Sequence, residues 1–502
     1  MKAFCGVLLL ICFAAAVQAS DSAVADAVQN RDLATARTLL KQQALSKQAG
    51  VNAAQPDGTT ALHWAAHWND ADGVALLLSA GANAKAINRY GATPLSEAAA
   101  LGNAPIIDQL LKAGADPNTR TTADGETVLM TSARAGNLDA VKILLNHGAD
   151  VNGKEAYKGQ TALMWAAAEH HPEVVKALLE HGADWKVISS SRETKIPKLS
   201  AASSVSPIAR GGFNAFSFAA REGDIETAKV MLDHGIDINQ PDIDNASPLV
   251  ISIMNKQYTF AKFLLDRGAD PNVTDVKGRA ALYAVIDMRN EDWSALPLRK
   301  QEDPMPSIEL VKAILAHKAD VNAKLTHNLP GRSGMDYGDV ALDEGTTPFM
   351  RAARSGDAET MRLLLQAGAD AKSTTKDGNN ALLFAAGIGY RDKQTKGSDN
   401  DALEAVKICL EHGLDVNQTN AKAETVLHGA ANRGSDVLVK FLVEHGAKLD
   451  VKSKPGFTPL DIAMGKDSFG LPVPHDSTVA LIRNLGGPEG HASSTAPPPP
   501  DH

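Results

Sequence analysis

A four-residue motif returns along the chain at a nearly constant interval, and no other feature narrows the possible folds as much. It begins at Thr60 (Thr-Ala-Leu-His) and returns in altered form at Thr93, Thr127, Thr161, Asn214, Ser247, Ala280, Thr347, Asn380, Thr425 and Thr458. Most steps are 33 or 34 residues, and the longer ones carry insertions. A second motif runs in fixed phase with the first: a Leu pair, then His-Gly-Ala-Asp or a relative of it, as in Leu144–Asp150 and Leu178–Asp184. Fixed self-similarity at this period means stacked supersecondary units rather than one closed core.

Each slot of the repeat has a physical reading. Thr, Ser or Asn opens the first helix and accepts hydrogen bonds from amides two or three residues on; Ala280 is the exception. Pro94, Pro248, Pro348 and Pro459 then sit at the first helical position, where a missing N–H costs nothing. Ala pairs such as Ala65-Ala66 and Ala352-Ala353 let neighbouring helices approach closely. The Leu pair fills the layer between units, and Gly ends the second helix in the left-handed conformation. Lys318 stands in that Gly slot. Contacts fall only between neighbouring units, so the stack is quasi-one-dimensional.

These two motifs resemble the ankyrin repeat family, from Ser22 to Leu485. The resemblance implies an all-α solenoid of about eleven to twelve stacked helix-turn-helix repeats joined by turn or hairpin loops. It assigns 20–56 to an N-terminal capping repeat, 57–185 and 211–456 to the array, and 457–486 to a closing cap. Residues 487–502, with the run SSTAPPPPDH, read as a disordered tail.

The first 19 residues read differently. A single Lys2, an apolar run and Val17-Gln18-Ala19 match a secretion signal with its cleavage site. Cys5 and Cys12 would leave with it, and Cys409 alone would remain. The expected product is soluble, exported to the periplasm or secreted, has no membrane span after signal removal, and is held together without disulfides. Its formal net charge of −9 argues against general nucleic-acid binding.

Four polar insertions break the period: 186–210, 290–306, 323–344 and 391–402. The first is basic and Ser-rich. With 323–344 it enters at a turn between repeats, where it could clamp a partner or, for 186–210, mark a hinge after about five units. The other two lengthen the connection between the helices of one repeat.

The resemblance implies partner binding on the concave inner-helix face and at the turn tips. There the sequence offers Trp64, Trp68, Tyr90, Leu101, Arg134, Tyr157, Trp165, Phe218, Arg221 and Arg354. Trp68 is the strongest candidate, because Trp and Arg dominate binding hot spots. His63 and His428 match the family's His, which bonds near the turn. His63 with His67 lacks a third metal ligand nearby, and His147, His181, His234, His317, His412 and His445 recur as scaffold. His170-His171 is expected to pack rather than ligate, and Cys409, in a Leu slot, to be buried. No nucleophile, metallo-hydrolase or phosphate-loop motif occurs; Gly331–Asp339 is Gly-rich but lacks the strand and helix a phosphate site needs. The expectation is a non-catalytic scaffold for protein partners, with no metal and no cofactor; the alternatives are a secreted effector acting on host proteins and an enzyme built on the insertions.

Overall fold

The computed structural model describes residues 22–46, 50–121, 124–190, 192–193, 209–210, 212–291, 303–327, 329, 342–391, 395–466 and 474–490. The expected leader (1–19), the end of the tail (491–502) and parts of all four insertions lie outside these residues. The chain divides into two units between Asp184 and Trp185, at the edge of the insertion expected at 186–210.

Unit 1 contains five helix pairs among its described residues. These are α1 (Ala23–Gln29) with α2 (Leu33–Ser46), α3 (Ala61–His67) with α4 (Ala71–Ser79), α5 (Pro94–Leu101) with α6 (Ala104–Lys112), α7 (Val128–Arg134) with α8 (Leu138–Asn146), and α9 (Ala162–Ala168) with α10 (Pro172–Glu180). Inner helices α1, α3, α5, α7 and α9 pack each on the next, and so do outer helices α4, α6, α8 and α10. Helices this short do not persist alone in water; the stack stabilises them. In α6 the buried stripe is Ile106, Ile107, Leu110 and Leu111, and each such side chain contributes about 1.5–3 kcal/mol. Ala65, Ala66, Ala98 and Ala99 are fully buried where inner helices meet.

Unit 2 holds seven pairs among its described residues: α11 (Ala215–Glu222) and α12 (Ile225–Asp233), α13 (Pro248–Met254) and α14 (Tyr258–Asp266), α15 (Ala281–Arg289) and α16 (Ser307–Ala316), α17 (Pro348–Arg354) and α18 (Ala358–Gln366), α19 (Ala381–Ala386) and α20 (Asp399–Glu411), α21 (Val426–Arg433) and α22 (Asp436–Glu444), α23 (Pro459–Ala463) and α24 (Asp476–Asn484). A two-residue antiparallel pairing joins β1 (Arg192–Glu193) to β2 (Ala209–Arg210). Each unit is therefore an all-α solenoid.

The caps obey the local rules. Thr93 accepts from the Ser96 amide at 3.1 Å, and the Ser96 hydroxyl accepts from the Thr93 amide at 2.8 Å. Ala280 makes no such bond. Lys318 takes the left-handed conformation (φ 64°) that Gly268 takes at φ 90° in the repeat before.

An asparagine ladder stitches the turns together. The Asn322 carbonyl oxygen accepts from the Asp370 amide at 2.8 Å, while its amide donates to the Gly368 carbonyl at 3.2 Å. Asn118, Asn152 and Asn272 make the same pair of bonds to the next repeat. Successive turn tips are also joined by backbone bonds: Arg89 N–H to Asp57 O (2.7 Å), Ala156 N–H to Asp124 O (2.6 Å) and Lys376 N–H to Glu344 O (2.8 Å). These bonds satisfy loop backbone that would otherwise be orphaned, so the loops are built parts of the stack.

Residues 487–490, which the sequence placed in the tail, make defined contacts. Gly490 N–H donates to Asp461 Oδ2 at 2.7 Å, and the Thr458 hydroxyl donates to the Pro488 carbonyl at 2.9 Å. Residues 487–490 thus fold back over α23, and Gly490 supplies the buried Asp461 carboxylate with a donor.

Candidate protein-binding surface

The ten candidates fall into three groups. The first surrounds α3. Trp64 and Trp68 stack with ring centroids 6.0 Å apart. Trp64 Nε1–H donates to Gln55 Oε1 at 2.8 Å, and Trp68 Nε1–H to the Gln29 carbonyl at 3.1 Å. Arg31 lies 4.1 Å over the Trp68 ring. The exposed groove tryptophan expected at 68 is corrected here: it is half-buried and clamps the first helix pair to the second. Arg31 sits at φ 58° between α1 and α2, and that turn is what brings its guanidinium back over α3.

The second group is open. Leu101, at the end of α5, is 52 % exposed; Tyr90 and Tyr157, on turn tips, are 77 % and 48 % exposed. Arg134, at the end of α7, is exposed, reaches Glu126 at 3.1 Å and lies 5.2 Å over the Trp165 ring. Trp165 is half-buried, and its indole N–H is enclosed without a hydrogen-bond partner. All five belong to unit 1.

The third group, in unit 2, is largely closed. Phe218 is 5 % exposed and packs edge-on against Phe213 at 5.6 Å. Arg354 is 3 % exposed and donates to the Gly389 carbonyl at 3.1 Å. Neither can touch a partner in this conformation, against expectation. The cause at Arg354 is the long connection after α19, which folds over the ends of the inner helices. Arg433 shows the same covering: it donates to Gly397 O and Asp399 Oδ1, both at 2.8 Å, and lies 4.4 Å over Tyr390. Arg221 is half-buried, 5.0 Å over Phe218 and paired with Glu222 at 2.6 Å.

Comparison with known proteins decides the family. A family model described as "Ankyrin repeats (3 copies)" matches residues 24–121, 97–189, 198–275, 305–392 and 397–470. The chain belongs to the ankyrin repeat family. It is similar to the B-cell lymphoma 3 protein homolog of Mus musculus, 32 % identical over 124 residues, 24 % of this chain and 25 % of that protein. Ankyrin repeat and SOCS box protein 16 of Mus musculus is 34 % identical over 118 residues, again 24 % of this chain and 25 % of the relative. Ankyrin repeat and SOCS box protein 6 of Pongo abelii is 27 % identical over 251 residues, 47 % of this chain and 52 % of the relative. The chain thus spans between a quarter and half of the length of these relatives.

The histidines of the ankyrin motif are structural. His63 Nδ1 accepts from the Thr60 amide at 3.1 Å, and Nε2–H donates to the Ala92 carbonyl of the next repeat at 3.0 Å. His428 repeats this with Thr425 (3.1 Å) and Phe457 (3.0 Å). Burial holds the His63 imidazole below its usual value of 6.5, which preserves the neutral acceptor nitrogen; the Ala92 carbonyl and nearby acids act the other way. His181, His234, His317, His412 and His445 each turn Nδ1 to the carbonyl four residues back, at 2.7–2.8 Å. His171 bonds the Arg134 carbonyl at 3.0 Å. Among the described residues no group of three or more His, Cys, Asp or Glu side chains could hold a metal ion, and no helix is long and apolar enough to cross a membrane. Cys409 is fully buried, and burial pushes its thiol far up.

One feature escaped the sequence reading: a buried ionic network between the ankyrin repeats of α15 and α17. Arg351 donates to Asp287 Oδ1 (2.7 Å), Ser355 Oγ (2.8 Å) and the Asn290 carbonyl (2.5 Å). Beside it Arg289 donates to Asp357 (2.8 Å) and Glu359 (2.8 Å). Burial raises the Asp357 carboxyl, but bonds from Arg289, Asn290 and Thr360 outweigh it and leave it lowered. The available signal was an arginine at 351, in a slot filled by Trp64, Trp165 and Phe218 elsewhere.

Proposed function

We propose that this protein is a non-catalytic, exported scaffold that binds protein partners through the inner-helix ends and turn tips of unit 1. The observation that carries the reading is the contrast between the two units. At the inner-helix ends Leu101 and Arg134 stand open in unit 1, whereas Arg354 and Arg433 of unit 2 are covered by the chain itself; on the turn tips Tyr90 and Tyr157 are exposed in unit 1, as Ile243 and Val276 are in unit 2. Exposed aromatic, apolar and Arg side chains have the composition of interface anchors. Repeats of this family supply such extended surfaces by stacking.

The localisation part of the proposal, periplasmic or secreted, rests on residues 1–19 and on the single cysteine left beyond them. The test is affinity capture by the chain purified from its own compartment, with Leu101→Asp in parallel. Partners captured by the native chain should be lost from the variant while its melting temperature stays unchanged. Equal capture by both would refute the assigned surface. N-terminal sequencing that finds Met1 on the mature chain would refute export by cleavage.

A further inference from the structure

We propose that the two long connections of unit 2 form a brace that locks the repeats from α13 to α22 into one block, so that they open together and not one by one. In unit 1 the helices of a repeat are joined by two or three residues. Those short connections bond the repeat beside them, as Asn137 does to the Gly102 carbonyl and His171 to the Arg134 carbonyl (3.0 Å). In unit 2 the α15–α16 connection is 290–306 and the α19–α20 connection is 387–398. Their described residues run along the ends of the inner helices and add bonds at four successive repeat interfaces.

The first connection grips both of its neighbours. Backward, Glu291 pairs with Lys256 at 2.8 Å, and Asp303 accepts from the Thr259 amide and hydroxyl, both at 2.8 Å, at the start of α14. The Lys256 and Glu291 side chains are only 13 % and 11 % exposed, so salt screens the pair weakly. Forward, Asn290 Nδ2 donates to Asp357 Oδ2 at 2.9 Å, and the Asn290 carbonyl accepts from Arg351. The second connection grips α17 and α21. The Gly389 carbonyl accepts from Arg354 at 3.1 Å, and Gly397 lies so close to α17 that a Cβ there would run into the Ser355 carbonyl. On the other side Arg433 donates to the Gly397 carbonyl and to Asp399, and Asn432 to the Gly387 and Tyr390 carbonyls.

One bond joins the second connection to the start of the first. Lys396 Nζ donates to the Arg289 carbonyl at 2.7 Å, at the end of α15 and two repeats back. Arg289 in turn holds Asp357 and Glu359 of the repeat between. A bond that spans two interfaces breaks when either opens, so the opening of one removes a restraint on the other. The stability of a stacked array is the sum of each repeat's own stability and the interface terms. Helices this short contribute little alone. Hydrogen bonds to charged groups are the stronger ones, and here they are added at four interfaces in a row. Repeats that are weak singly and strongly joined open as a block.

The experiment follows amide exchange of the full chain as urea is raised below the main transition. The slowest amides of α13, α15, α17, α19 and α21 should share one opening with one urea dependence, because that slope follows the surface exposed. Arg433→Met removes the bonds to Gly397 and Asp399 and keeps an apolar stem over the connection. It should release α21 and α22 into a separate opening of smaller slope, with exchange there faster by about tenfold or more, while α13, α15 and α17 still open together. Lys262→Met removes the Lys262–Asp266 pair (2.7 Å), which lies within α14, and should leave the block whole. Separate openings in the native chain, a shared opening that survives Arg433→Met, or the same split produced by Lys262→Met would each overturn the inference.

Discussion

Replacing Arg351 by Leu should cost unit 2 about 3–5 kcal/mol, the range for breaking a buried ion pair from one side. The guanidinium is 2 % exposed and spends three donors on Asp287, Ser355 and the Asn290 carbonyl. Leu fills part of the volume but leaves the Asp287 carboxylate buried without its guanidinium. It also removes that donor from the Asn290 carbonyl, at the C-terminal end of α15. The double variant Arg351→Leu/Asp287→Leu removes both charges, so it should be more stable than the single variant and lie within about 1–2 kcal/mol of the native chain. Urea denaturation gives the free energies. Amide exchange read at α15–α18 shows whether these repeats open apart from the rest, since long repeat arrays need not unfold in one step. A loss under about 1 kcal/mol for the single variant, or strict additivity of the two substitutions, would refute the claim that the pair is coupled in a desolvated site.

Four further outcomes follow from individual residues. Lys318→Gly should stabilise by about 0.5–1 kcal/mol in chemical denaturation, because a left-handed non-Gly residue costs about 1–2 kcal/mol and Gly returns part of that as chain entropy; Lys318→Val should destabilise, since the site is left-handed (φ 64°) although it lacks Gly. Trp68→Ala should lower stability by about 1–2 kcal/mol through loss of the Arg31 stack and the Gln29 bond; an unchanged melt would restore Trp68 as a free contact residue. Burial, aided by Asp244 and Asp275, raises the Asp242 carboxyl to about 6 against bonds from the Ala246 and Asp244 amides. A raised folded value means the native state keeps a proton that the unfolded chain releases. Its contribution is therefore full below the ordinary 3.8 and lost as pH rises through about 6; Asp242→Asn should flatten that slope, and an unchanged stability–pH curve would contradict it. Cys409 should resist thiol reagents in the native chain and react only in denaturant, with rapid native labelling as the contrary result.

The repeats were legible because period, caps and Gly terminators are local and recur in phase. So was the role of the Cys409 slot, since a Leu position in the second helix faces the layer between repeats. The contact residues were less legible, for one physical reason. A slot predicts a direction from the helix, not what another segment lays over it. At Arg354 and Arg433 the connection between α19 and α20, which the insertion expected at 391–402 lengthens, supplies the Gly389 and Gly397 carbonyls; sequence shows its length but not the side to which it folds. The fold-over is fixed by close backbone approach: Asn432 Nδ2 donates to the Gly387 and Tyr390 carbonyls at 3.3 and 3.1 Å, and a Cβ on Gly429 would meet the Ile388 nitrogen at 2.8 Å. Trp68 was misread for a similar reason, because its cover comes from Arg31 in the preceding repeat. The Asn ladder went unread although its signal, the recurring "Asp-x-Asn" of the turns, was visible at Asn118, Asn152, Asn272, Asn322 and Asn417. Asn272-Val273-Thr274 and Asn417-Gln418-Thr419 have the Asn-x-Thr pattern of a glycosylation sequon, but both Asn amides already donate across repeats, to Lys318 O (3.2 Å) and Gly446 O (3.0 Å).

The central claim is that unit 1, through its turn tips and inner-helix ends, is where a protein partner sits. Amide hydrogen exchange of the full chain, with and without a partner obtained by capture, tests this most directly. The account predicts new protection at Arg89–Tyr90, at Leu101, at Arg134 and at Tyr157–Lys158, with α15–α22 unchanged. Protection confined to unit 2, or to the outer helices α4, α6 and α8, would contradict it.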